Sequence, residues 1–318
     1  VSIIDADPVG MFTVIDGHTA GCSYEKLNAV AASGVSACHE AITSKEDFDR
    51  LRLGLWTTLR NSSLRPDLEE IIKLITESNA NTNRLLMTTD GPHPSFIEKE
   101  GFMDGLVKKA VELGVSPIQA IQMATLDPAS YLRLDDYIGG IAPGRQADIL
   151  ILPNLVDFRP NIVISKGKVV ARAGKLIAPL PEIDWNQYVV RTPFGFKKSF
   201  LEDLHLYQYP HSDPESPVPV VHFKSNVITA RKDMRLPSVN GYIDLTIEKG
   251  LLYPALIERN QQWVTKGILE RFAVDLDGLA STYNTTTELL VIGRDLKAMA
   301  KASGIQGLRN GRRDCHRQ

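Results

Sequence analysis

Apolar and polar positions over the first 115 residues repeat in a recognisable pattern. The stretch "MFTVID" has the β-branched and aromatic content of a buried strand, and "SYEKLNAVAASG" after it has the spacing of a helix closed by Gly34. "VSACHE" reads as a short second strand. Ser44, with Asp47 three residues on, reads as a capping box opening "KEDFDRLRLG", which stops at Gly54. "LWTTLRN" and "PDLEEIIKLITES", with Pro66 near the helix start, form a third unit, and "RLLMTTD" with "GFMDGLVKKAVELG" a fourth. Ser116-Pro117-x-Gln119 and Asp127-Pro128 then mark two further helix starts.

Alternation of this kind predicts an α/β fold with parallel strands and crossover helices, either a doubly wound sheet or a (β/α)8 barrel. Ionisable residues separate the two. No Gly-x-Gly-x-x-Gly or Walker-type loop follows any of these strands, whereas His18, His39 and Asp90 each stand at the C-terminal end of one. A barrel gathers those ends at a single mouth. With four strands of eight, residues 1–135 read as half of such a barrel. The texture then changes: "GGIAPGRQADILILP" and "NIVISKGKVVARAGKL" predict a small antiparallel β-unit over 136–180. Residues 181–218, rich in Pro and aromatics, read as a linker, and 219–318 as a separate α/β domain.

Composition narrows the function. A chain of 318 residues, 43% hydrophobic and 23% charged, has the material for about two domains. Its net charge is -2, with no run of Lys and Arg before the last ten residues, which points away from nucleic acid and anionic membranes and toward a small-molecule substrate. Three cysteines, Cys22, Cys38 and Cys315, argue against a disulfide framework and for a reducing, cytoplasmic compartment. No apolar run approaches the roughly 20 residues of a membrane span. The opening "VSIIDADPVG" lacks the features of a signal peptide and enters as if in mid-domain.

Two imidazoles and a carboxylate converging at one mouth are a ligand set for Zn, Mn or Fe. Against that stands the ordinary role of a strand-end His as a hydrogen-bonded loop residue, and Thr-Thr-Asp-Gly before a proline is also good turn chemistry. Cys38 is expected to be a buried small residue, because neighbours on a strand point to opposite faces. The cytidine-deaminase pattern, His-x-Glu with Pro-Cys-x-x-Cys, is absent.

In their order, "DGHTAG", "LNAVAASGVSACHEAITSKEDFDRLRLG", "LRNSS", "LLMTTDGPHP", "AIQMATLDPASYLRL" and "GGIAPGRQADILIL" resemble the signatures of the adenine deaminases of the amidohydrolase superfamily, and of a divergent branch in particular. The likeness returns at "LIERN" and "DGLASTYNTTTELLVIG". It implies the C-terminal half of a TIM-like (β/α)8 barrel, a small β-unit and a C-terminal domain of adenine-deaminase type. It further implies a divalent, binuclear metal centre of Mn, Fe or Zn, with His18 and His39 as ligands and Asp90 beside the metal as the group that moves the proton. Glu40 is a candidate catalytic carboxylate or an orienting one. Arg60, Ser62 and His93 are candidates for substrate contact, with a structural ion pair the alternative for Arg60. The implied reaction is hydrolysis of adenine, or a related aminopurine, to hypoxanthine and ammonia, and the implied assembly a homodimer.

Departures accompany the likeness. The His-x-His pair of a first barrel strand and the bridging carboxylate near a fourth are missing, and His205, His211 and His222 lie in the wrong context to replace them. Cys38 and Gly91 each stand where the family has Asp, and "YNTTTE" where it has a His-Asp-Ser-His run. These expectations follow: the chain is the later part of a longer enzyme, it is inactive alone, and the alternatives are an inactive remnant or cyclic amide hydrolysis. The basic end "GLRNGRRDCHRQ" replaces an expected Gly turn and apolar strand, so a frameshift near 303–312 is expected.

Overall fold

The computed structural model describes residues 14–308 except 181, 185, 186, 188–194, 214, 226, 227, 247 and 248. The chain divides into two units, Val1–Glu182 and Ile183–Gln318. In the first, β1 (Asp16–Gly17), α1 (Tyr24–Ala32), β2 (Ala37–Cys38), α2 (Ser44–Arg52), β3 (Trp56–Arg60), α3 (Leu68–Ile71), α4 (Lys73–Thr76) and β4 (Leu85–Thr88) alternate as the hydrophobic pattern predicts. The strands are parallel and adjacent in chain order, with Gly17, Cys38, Thr57 and Leu85 in one row across the sheet. Their C-terminal ends therefore lie along one edge.

Local chemistry accounts for the helix boundaries. Ser23 caps α1 by accepting from Lys26 N–H, and Gly34, at φ 99°, ends it in a conformation that only glycine adopts freely. The cap of α2 lies one residue earlier than the pattern suggests. Thr43 Oγ1 accepts from Glu46 N–H, and Glu46 reaches back to Ile42 N–H, so the box is Thr43 with Glu46. Asp47 turns inward instead, where it accepts from the Thr57 hydroxyl in the core. Ser116 precedes the Pro117–Ala124 helix without a side-chain cap, and the following helix begins at Leu126, before the Asp127-Pro128 pair.

Pro94–Glu100 (α5), Met103–Glu112 (α6), Pro117–Ala124 (α7) and Leu126–Tyr131 (α8) follow β4. Leu59, Leu85 and Met87 of the sheet pack with Leu68, Ile71, Leu74, Leu106, Ala110, Ala120 and Met123 of the helices, burying a continuous apolar layer on one face. A short antiparallel meander, β5 (Ile149–Ile151), β6 (Ile162–Ser165), β7 (Lys168–Arg172) and β8 (Lys175–Leu176), completes the described part of this unit.

The second unit departs from the alternation expected of it. α9 (Lys198–Leu201) and a 3-10 turn at Leu204–Leu206 precede β9 (Val218–Phe223), β10 (Thr229–Met234), β11 (Ser238–Val239), β12 (Tyr242–Ile243), β13 (Leu251–Ile257), β14 (Val264–Lys266), β15 (Leu269–Glu270), β16 (Leu279–Ser281) and β17 (Leu289–Gly293). A helix, α10 (Leu296–Leu308), follows. The main sheet runs β10-β9-β15-β13-β17-β16 and is antiparallel except where β15 meets β9. Asn240 and Gly241, at φ 52° and 81°, make a tight hairpin between β11 and β12, a separate two-stranded sheet with no crossover helix between its strands. Nor are the described residues of the expected linker loosely held. Phe196, Leu201, Leu206 and Tyr207 enter the same core as Val218, Tyr253 and Val291, and the Tyr207 hydroxyl donates to Leu201 O. The basic end from 309 onward, with most of the frameshift expectation, lies outside the described residues. No helix among the described residues is long and apolar enough to cross a membrane.

Candidate metal centre

The residues that leave the parallel sheet at its C-terminal edge meet. His18 follows β1, His39 and Glu40 follow β2, Arg60 ends β3, and Asp90 lies two residues past β4. The His18 and His39 rings stand edge to face with centroids 4.5 Å apart. Glu40 Oε1 lies 3.4 Å from His18 Nδ1 and 3.6 Å from His39 Nε2. Among the described residues these three form the group able to hold a metal, their ligand atoms all within 4.8 Å of one another.

The donor set fits a divalent ion. Two ligands bound at about 2.0–2.1 Å on a tetrahedral ion sit about 3.4 Å apart, close to the spacings that Glu40 Oε1 makes with the two imidazoles. His39 has the further partner that metal-bound histidines carry: its Nδ1 is 3.0 Å from Asp16 Oδ2, which leaves Nε2 for the ligand position. The His18 side chain, 74% exposed, stands on the open side.

The hydrogen bond that Asp16 accepts from His39 raises the His39 pKa above the usual imidazole value; burial works against this, and the charges of Asp16, Glu40 and Asp90 add to it. In the metal-free chain, Asp16→Ala is expected to lower the midpoint of the His39 imidazole titration followed by NMR. An unchanged midpoint would mean that Asp16 does not control His39.

Asp90 is at the site but outside the ligand group. Its backbone adopts φ 43°, a left-handed conformation that Asp tolerates, with its N–H donating to Thr88 Oγ1 at 3.1 Å. Its Oδ2 accepts from Arg60 Nη1 at 3.0 Å, and the same nitrogen donates to Glu40 Oε1 at 3.2 Å. Arg60 Nη2 donates to Asp67 Oδ2, and Arg65 donates to both Asp67 Oδ2 and Glu40 Oε2. Burial alone would lower the Arg60 pKa, but the Glu40 charge and the bonds to Asp90 and Asp67 raise it.

Two of the expected substrate contacts sit within this network. The Arg60 guanidinium is 1% exposed, with its two terminal nitrogens bonded to three carboxylates and its Nε without a hydrogen-bond partner among the described residues. Ser62 is buried, its hydroxyl accepting from Arg65 N–H to hold the turn that aims Arg65. His93 is exposed at the start of α5, with Nδ1 2.9 Å from Ser95 Oγ, and is not a member of the His18, His39 and Glu40 group. Asp16, Arg65 and Asp67 escaped the sequence reading. Asp16 lies in the same strand end as His18 and carries a signal, since Asp-Gly-His places a carboxylate beside an imidazole. Asp67 reads as ordinary helix-start chemistry.

Residues 13–170 match the amidohydrolase family, and residues 226–305 match the adenine deaminase C-terminal domain. An adenine deaminase of Cenarchaeum symbiosum is 32% identical over 296 residues, covering 91% of this chain and 48% of that protein. One from Desulforamulus reducens is 32% identical over 286 residues, covering 88% and 47%, and one from Rubrobacter xylanophilus 32% over 301 residues, covering 91% and 49%. The chain spans about half the length of the curated relatives it matches. With the parallel strand-helix units of a TIM-barrel-type α/β fold, a divalent-metal donor set at their C-terminal edge and these matches over both units, the chain belongs to the amidohydrolase family as a homologue of the adenine deaminases.

Proposed function

We propose that this chain contributes the later half of the catalytic barrel and the C-terminal domain of an enzyme that hydrolyses adenine or a related aminopurine to the oxopurine and ammonia. The observation that carries the reading is the convergence of His18, His39 and Glu40, with Asp90 linked to Glu40 through one guanidinium nitrogen. His18, His39 and Glu40 would hold a divalent ion of the Mn, Fe or Zn class, which when bound supplies a water acidified toward neutral pH. Further ligands, for this ion or a second, come from chain beyond these residues, in keeping with the greater length of the relatives.

The chain's own groups divide the remaining work. Asp16 orients His39 from behind. Arg60 holds one oxygen of Asp90, leaving the other for proton transfer, and the Asp90 side chain is 40% exposed and so open to a substrate. Asp90 takes a proton from the attacking water and returns it to the ring nitrogen or the departing ammonia. Both transfers matter, because an amidine carbon is a poor electrophile until its neighbouring nitrogen is protonated.

The test is ammonia release from adenine, other aminopurines and cyclic amides, with the chain alone and with the longer protein that contains it. The reading expects turnover of an aminopurine by the longer protein, loss of that turnover in His39→Ala and Asp90→Asn, and none by the chain alone. Cyclic amide hydrolysis without purine turnover would redirect the substrate assignment. Full turnover by His39→Ala would overturn the site itself.

A further inference from the structure

We propose that Arg50, acting through Thr19, is a positioning residue for His18; the role rests on the metal-site reading above. The problem it solves is visible in the geometry. β1 is two residues long, and His18 lies just beyond it with a mostly exposed side chain. Among the described residues, that imidazole is held by the neighbouring His39 and Glu40. Its place must come from its backbone.

That backbone is fixed one residue later. Thr19 is 3% exposed. Its carbonyl accepts from Arg50 Nη2 at 2.8 Å and from Cys22 N–H at 3.2 Å, and its Oγ1 accepts from Arg50 Nη2 at 2.8 Å. The same hydroxyl lies 2.9 Å from Cys38 Sγ, a hydrogen bond in which either group can donate. Cys38 is the residue before His39, and its sulfur lies 3.4 Å from Glu40 N. The residue after one imidazole ligand is thus tied to the residue before the other. Arg50 is itself held, with Nη1 donating to Glu46 O at 2.8 Å within α2. Gly17 completes the arrangement on the strand side, where a Cβ would lie 2.8 Å from Val35 Cγ1.

A buried guanidinium is costly, and the bonds Arg50 makes through its two terminal nitrogens fall on Thr19 and Glu46 rather than on a carboxylate, while its Nε has no hydrogen-bond partner among the described residues. The arrangement orders the His18 loop during folding, so that metal binding need not do so.

Two measurements on the full 318-residue chain test this: hydrogen exchange of residues 17–22 without metal, and zinc affinity by titration calorimetry. Thr19→Val keeps the shape and removes the hydroxyl, Thr19→Ser keeps the hydroxyl, and Arg50→Met removes the clamp. Thr19→Val is expected to speed exchange of the loop and weaken zinc binding by roughly 10–100-fold, as loss of a partner that orients a ligand does, while Thr19→Ser stays near the parent in both. Should Arg50→Met fail to fold, the Val and Ser pair still decides. Parent-like exchange and affinity in Thr19→Val overturns the positioning role. His18→Ala and His39→Ala serve as controls: if both bind zinc as the parent does, the metal reading fails and the role toward a ligand falls with it. If both weaken binding and Thr19→Val does not, only the positioning role falls.

Discussion

Arg60→Met is expected to lower the stability of the chain by about 3 kcal/mol or more, the cost of breaking a buried ion network by removing one partner. The guanidinium donates to Glu40, Asp67 and Asp90, and the Glu40 and Asp67 side chains are themselves largely shielded from water. Without it, Arg65 is left to serve Glu40 and Asp67, and Asp90 loses its partner in the network. Met fills much of the same volume, so the apolar part of the exchange would cost less than about 1.5 kcal/mol. A loss below that figure in urea unfolding would show that the network contributes nothing net. Arg60→Lys should rescue little, because one ammonium cannot reproduce a planar fork that reaches three carboxylates.

Stability should also fall as pH rises from about 4 through 7, because of Asp47. Burial pushes the Asp47 carboxyl up to about 7, against the opposing effects of the Thr57 hydrogen bond and the Arg50 charge. A folded-state pKa above the unfolded one means that the folded chain binds more protons between the two values. The stabilisation is therefore present in full below about 4 and is lost as pH climbs through 7, by as much as about 4 kcal/mol for a shift of about three units. His39, also raised, loses stability in the same direction as pH passes its ordinary value, so the parent alone does not isolate Asp47. Asp47→Asn does: it keeps an acceptor for Thr57 and removes the titration. The difference in unfolding free energy between parent and variant should grow in favour of the variant from pH 5 to pH 8. A difference that stays constant would refute the assignment.

How much of the site can be read from the chain alone follows from the range of the interactions. His18 and His39 are legible because a strand-end imidazole recurs on successive units of one type, and parallel strands bring such ends to one edge. Glu40 is harder. On a strand, neighbours point apart, but β2 ends at Cys38, so His39 and Glu40 lie in irregular chain where alternation no longer holds, and both reach the same place. Arg60 illustrates the opposite limit. Whether a strand-end arginine faces a substrate or is neutralised depends on carboxylates at positions 40, 67 and 90, which only the folded sheet brings within reach.

The same distinction separates the two units. In the first, local signals agree with one another: helix caps, glycine stops and apolar spacing all concern residues a few positions apart, and they determine the elements and their parallel order. In the second, β15 pairs with β9 across nearly fifty positions and Tyr207 bonds Ser303 across 96. Short apolar segments of that kind serve equally in hairpins or in βα units until a partner strand is present, so pairing, not propensity, made the C-terminal part a sheet that is antiparallel except between β15 and β9. By itself, the sequence placed an ionisable residue at or just past the end of each strand and carried the resemblance to the family. The tertiary structure decided which of them meet, because the placing of Glu40 beside His18 and His39, Asp16 behind His39 and Arg60 between carboxylates arises from contacts between segments that are distant in the chain.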